Sequence, residues 1–505
     1  MDTTVTKMKK YILALDQGTT SSRAILFSRA GEIVSTAAKD FEQIFPVPGW
    51  VEQNPMDILE SQFYSLKKAV ENGNISPSEI AAVGITNQRE TVIVWERKSG
   101  KPVCNAIVWQ CRRTADYCEN LKARGLEEYI KNITGLPIDA YFSGTKIKWI
   151  LDNVPNARKM AEKSELLAGT VDSWLIWNLS GGKLHITDVS NASRTMLFDI
   201  NTLEYSQKLC DTMGIPMNML PKVVPTSGVY GEINCADLPE FKGIPICSAV
   251  GDQQASLFGQ CCFGVGDTKN TYGTGCFTLM NIGEKPILSK NLITTIGWQI
   301  GDKTVYAAEG SVFNAGSSIK WLRDELGIIS KPSECDVLAE SLDNNGGVYF
   351  VSAFTGLGAP YWDMYARGTL TGLTRGSGRA HICRAVLEGI AYQVTDLVRA
   401  MEQEFGCPIT VIKVDGGASV SRFLMQFQSD MLRIEVKRPT VTEATAFGAA
   451  LLAGLGIGFW QSADEIEKIV KNQGYTVFSP EITLSEADQL YGDWKTAVKR
   501  TKSEV

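Results

Sequence analysis

Several short stretches hold residues whose types and spacing can do chemistry. LALDQGTTSSRA, residues 13–24, ends an apolar run on Asp16 and then offers Gly18 and four hydroxyls, Thr19, Thr20, Ser21 and Ser22. A glycine turn lets backbone N–H groups face an anion, and hydroxyls add donors without bulk, which suits phosphate oxygens. A carboxylate at a strand's end suits a magnesium ion that keeps its waters. The stretch lacks the GxxxxGK[ST] spacing of a Walker A loop. YGTGCF at 272–277 is a second glycine turn. VDGGAS at 414–419 ends a strand on Asp415 and two glycines, a bare floor that a planar base or a ribose can approach closely.

Other stretches suit an acceptor. In NQRET, 87–91, Arg89 and Glu90 are adjacent, so an extended chain would point them to opposite faces. At a strand's end the backbone can turn both into a cleft, where they offer donors and acceptors to a polyhydroxy compound. Trp109 and Tyr141 can wall a carbon skeleton. In GDQQ, 251–254, Asp252 follows an apolar strand and opens a helix. It can cap that helix, or accept a hydroxyl proton during phosphoryl transfer. A carboxylate of pKa about 3.9 is a weak base, but the loose transition state depends mainly on positioning and charge. Each stretch alone also has a plainer reading: polar turn, helix cap, solvated ion pair or core aromatic.

The elements that position these residues read as two α/β halves. The first opens with three strands, YILALD, SRAILFS and EIVSTAAK, and a helix over 55–72 after a capping Asn54. AAVGIT, TVIVWE, AIVWQ and IPICSAV read as strands, and 112–133 and 144–163 as helices. The second half opens with the hairpin KNTYGTGCFTLMN, followed by a helix near 313–326, the strand GVYFV, a helix over 381–405, the strand TVIKVDGG and helices over 420–432 and 443–455. Two halves that each begin with a glycine- and hydroxyl-rich hairpin suggest an internal duplication. The expected domains are 1–258 and 259–505, with 460–505 a surface helix pair.

Composition narrows the class. A chain of 505 residues exceeds one ordinary core. A net charge of −6 without basic runs argues against nucleic acid as a partner. No apolar run is long enough for stable membrane insertion, and MDTTVTKMKK lacks the apolar stretch of a secretion signal, so a cytoplasmic location is expected. The twelve cysteines contain no CxxC pair and read as small buried residues. Two histidines make a histidine metal site or a Ser-His-Asp triad improbable.

The order of the motifs is more specific than any one of them. Acid–glycine–hydroxyl hairpin, second glycine hairpin, then strand–Asp-Gly-Gly–helix is the order of the actin–hexokinase–Hsp70 nucleotide fold. From about residue 10 to about 500 the chain resembles the FGGY carbohydrate kinases, and within them the branch that phosphorylates glycerol. GWVEQNP, GITNQRET, AIVWQCRRT, YFSGTKIKWILDN, GDQQASLFGQ, KNTYGTGCF, VDGGASVSRFLMQFQSD, GTLTGLTRGSGRAHICRAVLEGIAYQ and TAFGAALLAG carry the resemblance.

It implies an α/β fold of two actin/hexokinase-like (ribonuclease H-like) domains flanking a nucleotide and substrate cleft. The first would carry the glycerol and phosphate side, the second the nucleotide side. It implies ATP/ADP and Mg²⁺ as cofactors, glycerol as acceptor, and a homodimer or homotetramer. Asp252 is then the base. Arg89, Glu90, Tyr141, Asp252 and Gln253 hold the hydroxyls, and Trp109 and Phe277 pack on the carbons. Asp16 and Asp252 serve the metal. Thr19, Thr20, Ser21, Ser22, Arg23, Thr274 and Gly275 serve the phosphates. Gly316, Lys320, Gly417, Ala418 and Ser421 border the nucleotide. Ser421 and Lys320 depart from the Asn and Gln common in relatives. A sibling kinase for a larger polyol or ketose, and a non-catalytic actin-like ATPase, are the competing expectations.

Overall fold

The structure, a computed structural model, describes residues 9–503, so most of the opening segment read for a secretion signal lies outside the described residues. Among the described residues no helix is long and apolar enough to cross a membrane.

A thirteen-stranded sheet runs through the molecule. Its strands in chain order are β1 (Tyr11–Gln17), β2 (Ser21–Ser28), β3 (Ile33–Asp40), β4 (Ile80–Asn87), β5 (Ser227–Glu232), β6 (Pro245–Gly251), β7 (Thr268–Tyr272), β8 (Cys276–Gly283), β9 (Ile293–Ile300), β10 (Lys303–Val312), β11 (Val411–Asp415), β12 (Glu435–Pro439) and β13 (Tyr475–Phe478). Across the sheet they lie in the order 13-12-11-7-8-10-9-5-6-4-1-2-3. The duplication is explicit in this order. In the first half, β1, β2 and β3 form an antiparallel meander, and β4 then β6 follow β1 in parallel. In the second, β7, β8 and β10 form the meander, and β11 then β12 follow β7 in parallel. The halves meet at β5 and β9, whose register is a single pair, Ser227 with Ile300.

The helices that matter for the site are α1 (Pro55–Asn72), α2 (Asp252–Gly259), α3 (Gly316–Asp324), α4 (Arg379–Phe405), α5 (Arg422–Leu432), α6 (Ala444–Gly456), α7 (Ala463–Gln473) and α8 (Leu484–Thr501). Asn54 caps α1 by accepting from the Met56 amide, as its position before Pro55 predicts. α6, ATAFGAALLAGLG, is apolar on nearly every face, as expected of a helix without a solvent side. It comes from the second half of the sequence but packs in one apolar cluster with residues of β1, β2, β4, β6 and α2. Its fit depends on small residues: a Cβ on Gly84 would lie 2.3 Å from the Ala449 carbonyl oxygen, and one on Gly259 2.2 Å from that of Ala444.

The structure corrects several local expectations. The 112–133 segment is two helices, Ala115–Ala123 and Glu127–Thr134, parted where Gly125 turns at φ +70°. The 144–163 segment is also two, Ser143–Asn153 and Ala157–Glu162, because Pro155 disfavours helix before it. AIVWQ keeps only two strand residues, Ala106–Ile107, in a small second sheet with Val92–Glu96, Leu166–Thr170 and Glu52–Gln53. The C-terminal segment is more than a surface helix pair. β13 joins the sheet edge beside β12, and Trp494 of α8 is fully buried, its indole donating to Asp396.

Candidate active site

The two hairpin turns lie at corresponding strand ends. Gly18 donates to the Ser21 carbonyl at 2.9 Å and closes the first; Gly273 donates to the Gly275 carbonyl at 2.9 Å and closes the second. Thr19 is fixed from three sides. Its carbonyl accepts from Gln43 and Gln53, and its hydroxyl accepts from the Trp109 indole at 3.1 Å. Thr20 is exposed and Ser21 half-buried. Ser22 requires a correction. Alternation along β2 turns its side chain inward, where its hydroxyl lies 2.8 Å from that of Ser61 on α1, so that hydroxyl does not reach phosphates. Arg23, facing outward, pairs with Glu443 at the start of α6, 3.0 Å away.

The second hairpin seats α3. The carbonyls of Gly273 and Thr274 accept from the amides of Gly316, Ala315 and Ser317. A Cβ on Gly316 would lie 2.6 Å from the Gly273 oxygen, so glycine permits this close approach. Lys320 is exposed one turn further along α3. Gly417 and Ala418 follow β11, and a Cβ on Gly417 would meet nothing within 4 Å. The Ser421 hydroxyl is already committed: it caps α5 at Leu424 and donates to Asp336 at 2.6 Å.

Arg89 and Glu90 follow β4 and are almost fully buried, at 3% and 1% exposure, which rules out a solvated surface pair. Glu90 adopts φ +59°, a left-handed backbone rare for a residue with a side chain. That turn breaks the alternation that would otherwise part the two side chains. The Arg89 Nε lies 3.3 Å from Asp252 Oδ1, and its Nη2 lies 3.5 Å from the Tyr141 hydroxyl. Trp109 meets Tyr141 edge-on at 5.7 Å and Phe277 at 6.3 Å between ring centroids, forming an aromatic wall.

Asp252 is the first residue of α2, after an extended Gly251 that occupies the cap position. Its carboxylate therefore does not serve as the cap, though it accepts from the Gln253 amide at 2.7 Å. Burial raises its pKa, against the pull of Arg89 and Lys269. Burial also pushes Asp16 up to about 7, against Arg23, with Glu443 and Asp252 adding to the rise. Asp16 thus has two further carboxylates, Glu443 and Asp252, within electrostatic reach. The Gln253 amide oxygen accepts from the buried Lys269 ammonium, which burial pulls down to about 8 despite Asp415 and Asp252.

Sequence reasoning passed over four residues here: Arg194, Gln254, Lys269 and Glu309. The signal for Glu309 was a charged residue inside an apolar strand, VYAAEGSV, whereas Lys269 sits in the polar run TKNTY, which carries no such signal.

Two family profiles cover most of the chain: the N-terminal domain of the FGGY family of carbohydrate kinases over residues 11–259, and its C-terminal domain over 268–457. The chain belongs to the FGGY family of carbohydrate kinases. Among FGGY relatives it is 57% identical over 497 residues to a glycerol kinase of Pseudothermotoga lettingae, covering 98% of each chain. It is 56% identical to glycerol kinase 2 of Thermotoga maritima, covering 97% of this chain and 99% of that one. The Plasmodium falciparum glycerol kinase, solved with ADP, superposes with a TM-score of 0.92 at 36% identity, covering 98% and 99% of the two chains. A xylulose kinase of Lactobacillus acidophilus shares the fold, with a TM-score of 0.86 at 22% identity over 97% of each chain.

Proposed function

We propose that this FGGY kinase transfers the γ-phosphoryl group of ATP to glycerol, giving sn-glycerol 3-phosphate and ADP in glycerol catabolism. The carrying observation is the convergence on Asp252. The buried Arg89 lies 3.3 Å from it and reaches the Tyr141 hydroxyl, the Tyr141 ring meets Trp109, and the Trp109 indole donates to Thr19 of the first hairpin. A base between a polyol-binding pair and a phosphate turn is what direct transfer requires.

In this reading Arg89, Glu90, Tyr141 and Gln253 hold the hydroxyls while Trp109 and Phe277 pack on the carbons. Asp252 accepts the proton of the attacking hydroxyl as its oxygen bonds to the γ-phosphorus. The bond from that phosphorus to the bridging oxygen breaks, and its electron pair leaves on ADP. A carboxylate raised by burial is a better base, while Arg89 and Lys269 favour its ionised form. Thr19, Thr20, Ser21 and Arg23, with Thr274 and Gly275, face the phosphates; Gly316, Lys320, Gly417, Ala418 and Ser421 border the nucleotide. Burial and the charges of Glu443 and Asp252 disfavour a bare anion at Asp16, so Asp16 and Asp252 would hold a hard divalent cation such as Mg²⁺. When bound, that ion neutralises charge on the phosphate oxygens.

The reading assigns residues 1–258 to the glycerol and phosphate side and 259–505 to the nucleotide side. Self-association as a dimer or tetramer and a cytoplasmic location are proposed with it; light scattering reads the first. The test of the reaction is incubation with Mg-ATP and glycerol, dihydroxyacetone, xylulose or gluconate, following ADP and phosphorylated product. Turnover with glycerol above the others is expected. Preference for a ketose or gluconate overturns the acceptor assignment, and ADP release that ignores every acceptor favours an actin-like ATPase.

A further inference from the structure

Behind the acceptor residues runs a buried chain of charge, and two of its members have no role so far. Arg194 and Glu309 are both 0% exposed. Arg194 follows the short helix Val189–Ala192 in the first half, and Glu309 lies inside β10 in the second. Glu309 takes two bonds from Arg89, Nη1 to Oε2 at 2.5 Å and Nη2 to Oε1 at 3.0 Å. It takes a third from Arg194 Nη2 at 3.0 Å. Arg194 Nε donates to Glu90 Oε1 at 2.6 Å, and its guanidinium lies 5.6 Å from the centre of the Tyr141 ring. Both arginines hold Glu309 ionised, down to about 2, although burial alone would raise it.

Counting donors shows what this does to Arg89. A guanidinium has five N–H groups in one plane. Nη1 is used by Glu309 and by Gln254, at 3.2 Å. One Nη2 hydrogen goes to Glu309, and Nε faces Asp252. The remaining Nη2 donor makes only the long 3.5 Å contact to Tyr141, so it is the donor best placed to turn to a ligand. Buried ion clusters are weak sources of stability, because desolvation offsets their attraction. This one touches Arg89, Glu90 and Tyr141 together.

We infer that Glu309 and Arg194 are positioning residues that set acceptor specificity. Glu309 locks the guanidinium plane of Arg89 so that one donor faces the acceptor, and Arg194 aims the Glu90 carboxylate and braces Tyr141. The inference rests on the reading of Arg89, Glu90 and Tyr141 as the groups that hold glycerol hydroxyls. A site built to pair every hydroxyl rejects an analogue that lacks one, and loosening it weakens that rejection.

The test compares Glu309→Gln, Glu309→Asp and Arg194→Lys with the wild type, using glycerol, propane-1,2-diol and ADP titration. In Glu309→Gln the glycerol KM is expected to rise about tenfold or more, with a smaller change in kcat. The preference for glycerol over propane-1,2-diol should fall several-fold, and ADP affinity should stay within about twofold. Arg194→Lys and Glu309→Asp, which keep their charges, should move the same way by less. If Glu309→Gln does not fold, those two variants carry the test. An unchanged preference, or a loss of ADP affinity that matches the rise in glycerol KM, overturns the inference and leaves a structural ion cluster. Arg89→Ala separates the two levels. A glycerol KM unmoved in that variant defeats the acceptor reading itself. A raised KM there, with wild-type behaviour in the other three, defeats only the positioning role.

Discussion

Replacing Gly448 by alanine presses a methyl group onto the helix that begins with Asp252. The new Cβ would sit 1.8 Å from the Ala255 carbonyl oxygen and 2.6 Å from its carbon. Real Cβ contacts stop near 3.0 Å, so α2 and α6 must part by about 1.2 Å. α6 has little room to withdraw. It packs on β4, β1 and β6, and the Ala449 carbonyl accepts from Ser248 at 2.8 Å. The shift therefore falls mainly on α2, and Ala255 is one turn from Asp252. Overpacking of this kind costs about 1–3 kcal/mol. A displacement of about 1 Å at a reacting group costs up to about a hundredfold in rate. The expected result is a lower melting temperature together with a kcat reduced about 10–100-fold. Gly492→Ala is the control. It lies inside α8 with nothing within 4 Å of its Cβ, and there alanine should be neutral or stabilising. Steady-state kinetics with glycerol and thermal melts of both variants decide the matter. If Gly448→Ala melts and turns over like the wild type, the argument that α6 fixes Asp252 is wrong.

Asp252→Asn should lower kcat by about 10²–10⁴ while ADP affinity changes less than about twofold; equal losses in both would point to a folding defect. Gly417→Val adds a side chain to open space beside β11, so the KM for ATP should rise several-fold with no change in melting temperature; an unchanged KM removes Gly417 from the nucleotide site. His185 gives a pH prediction. Burial pulls its imidazole from 6.5 to about 4, although its Nε2–H donation to the Ala168 carbonyl opposes this. Between those values the unfolded chain binds the extra proton, so its contribution is complete above pH 6.5 and lost as pH falls toward 4. The loss is at most about 3 kcal/mol. His185→Phe keeps a ring against Trp95 and should flatten that acid limb in urea titrations from pH 7 to 4.5. A wild-type-to-variant difference that is constant with pH would refute it.

The parts of the site that could be read from the chain are those that local chemistry dictates. The two hairpins, the strand before Asp252 and the turn after β11 announce themselves through glycines, hydroxyls and apolar runs. The φ of Glu90 did not announce itself, yet it decides that two adjacent side chains serve one place. Ser22 was misread because a hydroxyl in a polar run looks like its neighbours until alternation along β2 assigns it a side. Glu309 and Arg194 were missed for a different reason. Their partners lie 220 and 104 residues away in the chain, at Arg89 and Glu90. No local pattern encodes such a pairing; only a lone acid amid alanines and valines hinted at it. β13 was legible in principle, since YTVF is rich in β-branched and aromatic residues, but four residues after a helix make a faint strand.

The seat of α6 has a consequence for how the molecule is made. Once residues 1–258 have left the ribosome, every strand of the first meander and its parallel neighbours is free, but the segment 444–456 that lies against them is not yet made. Until that segment emerges, the nascent chain holds an uncovered apolar face lined by Ile12, Ala14, Ala82 and Val250. The first half cannot bury that face until nearly two hundred more residues have been added. A frameshift or nonsense mutation after residue 277 and before residue 444 thus leaves every residue proposed to hold glycerol in the product, yet removes the helix that covers this face.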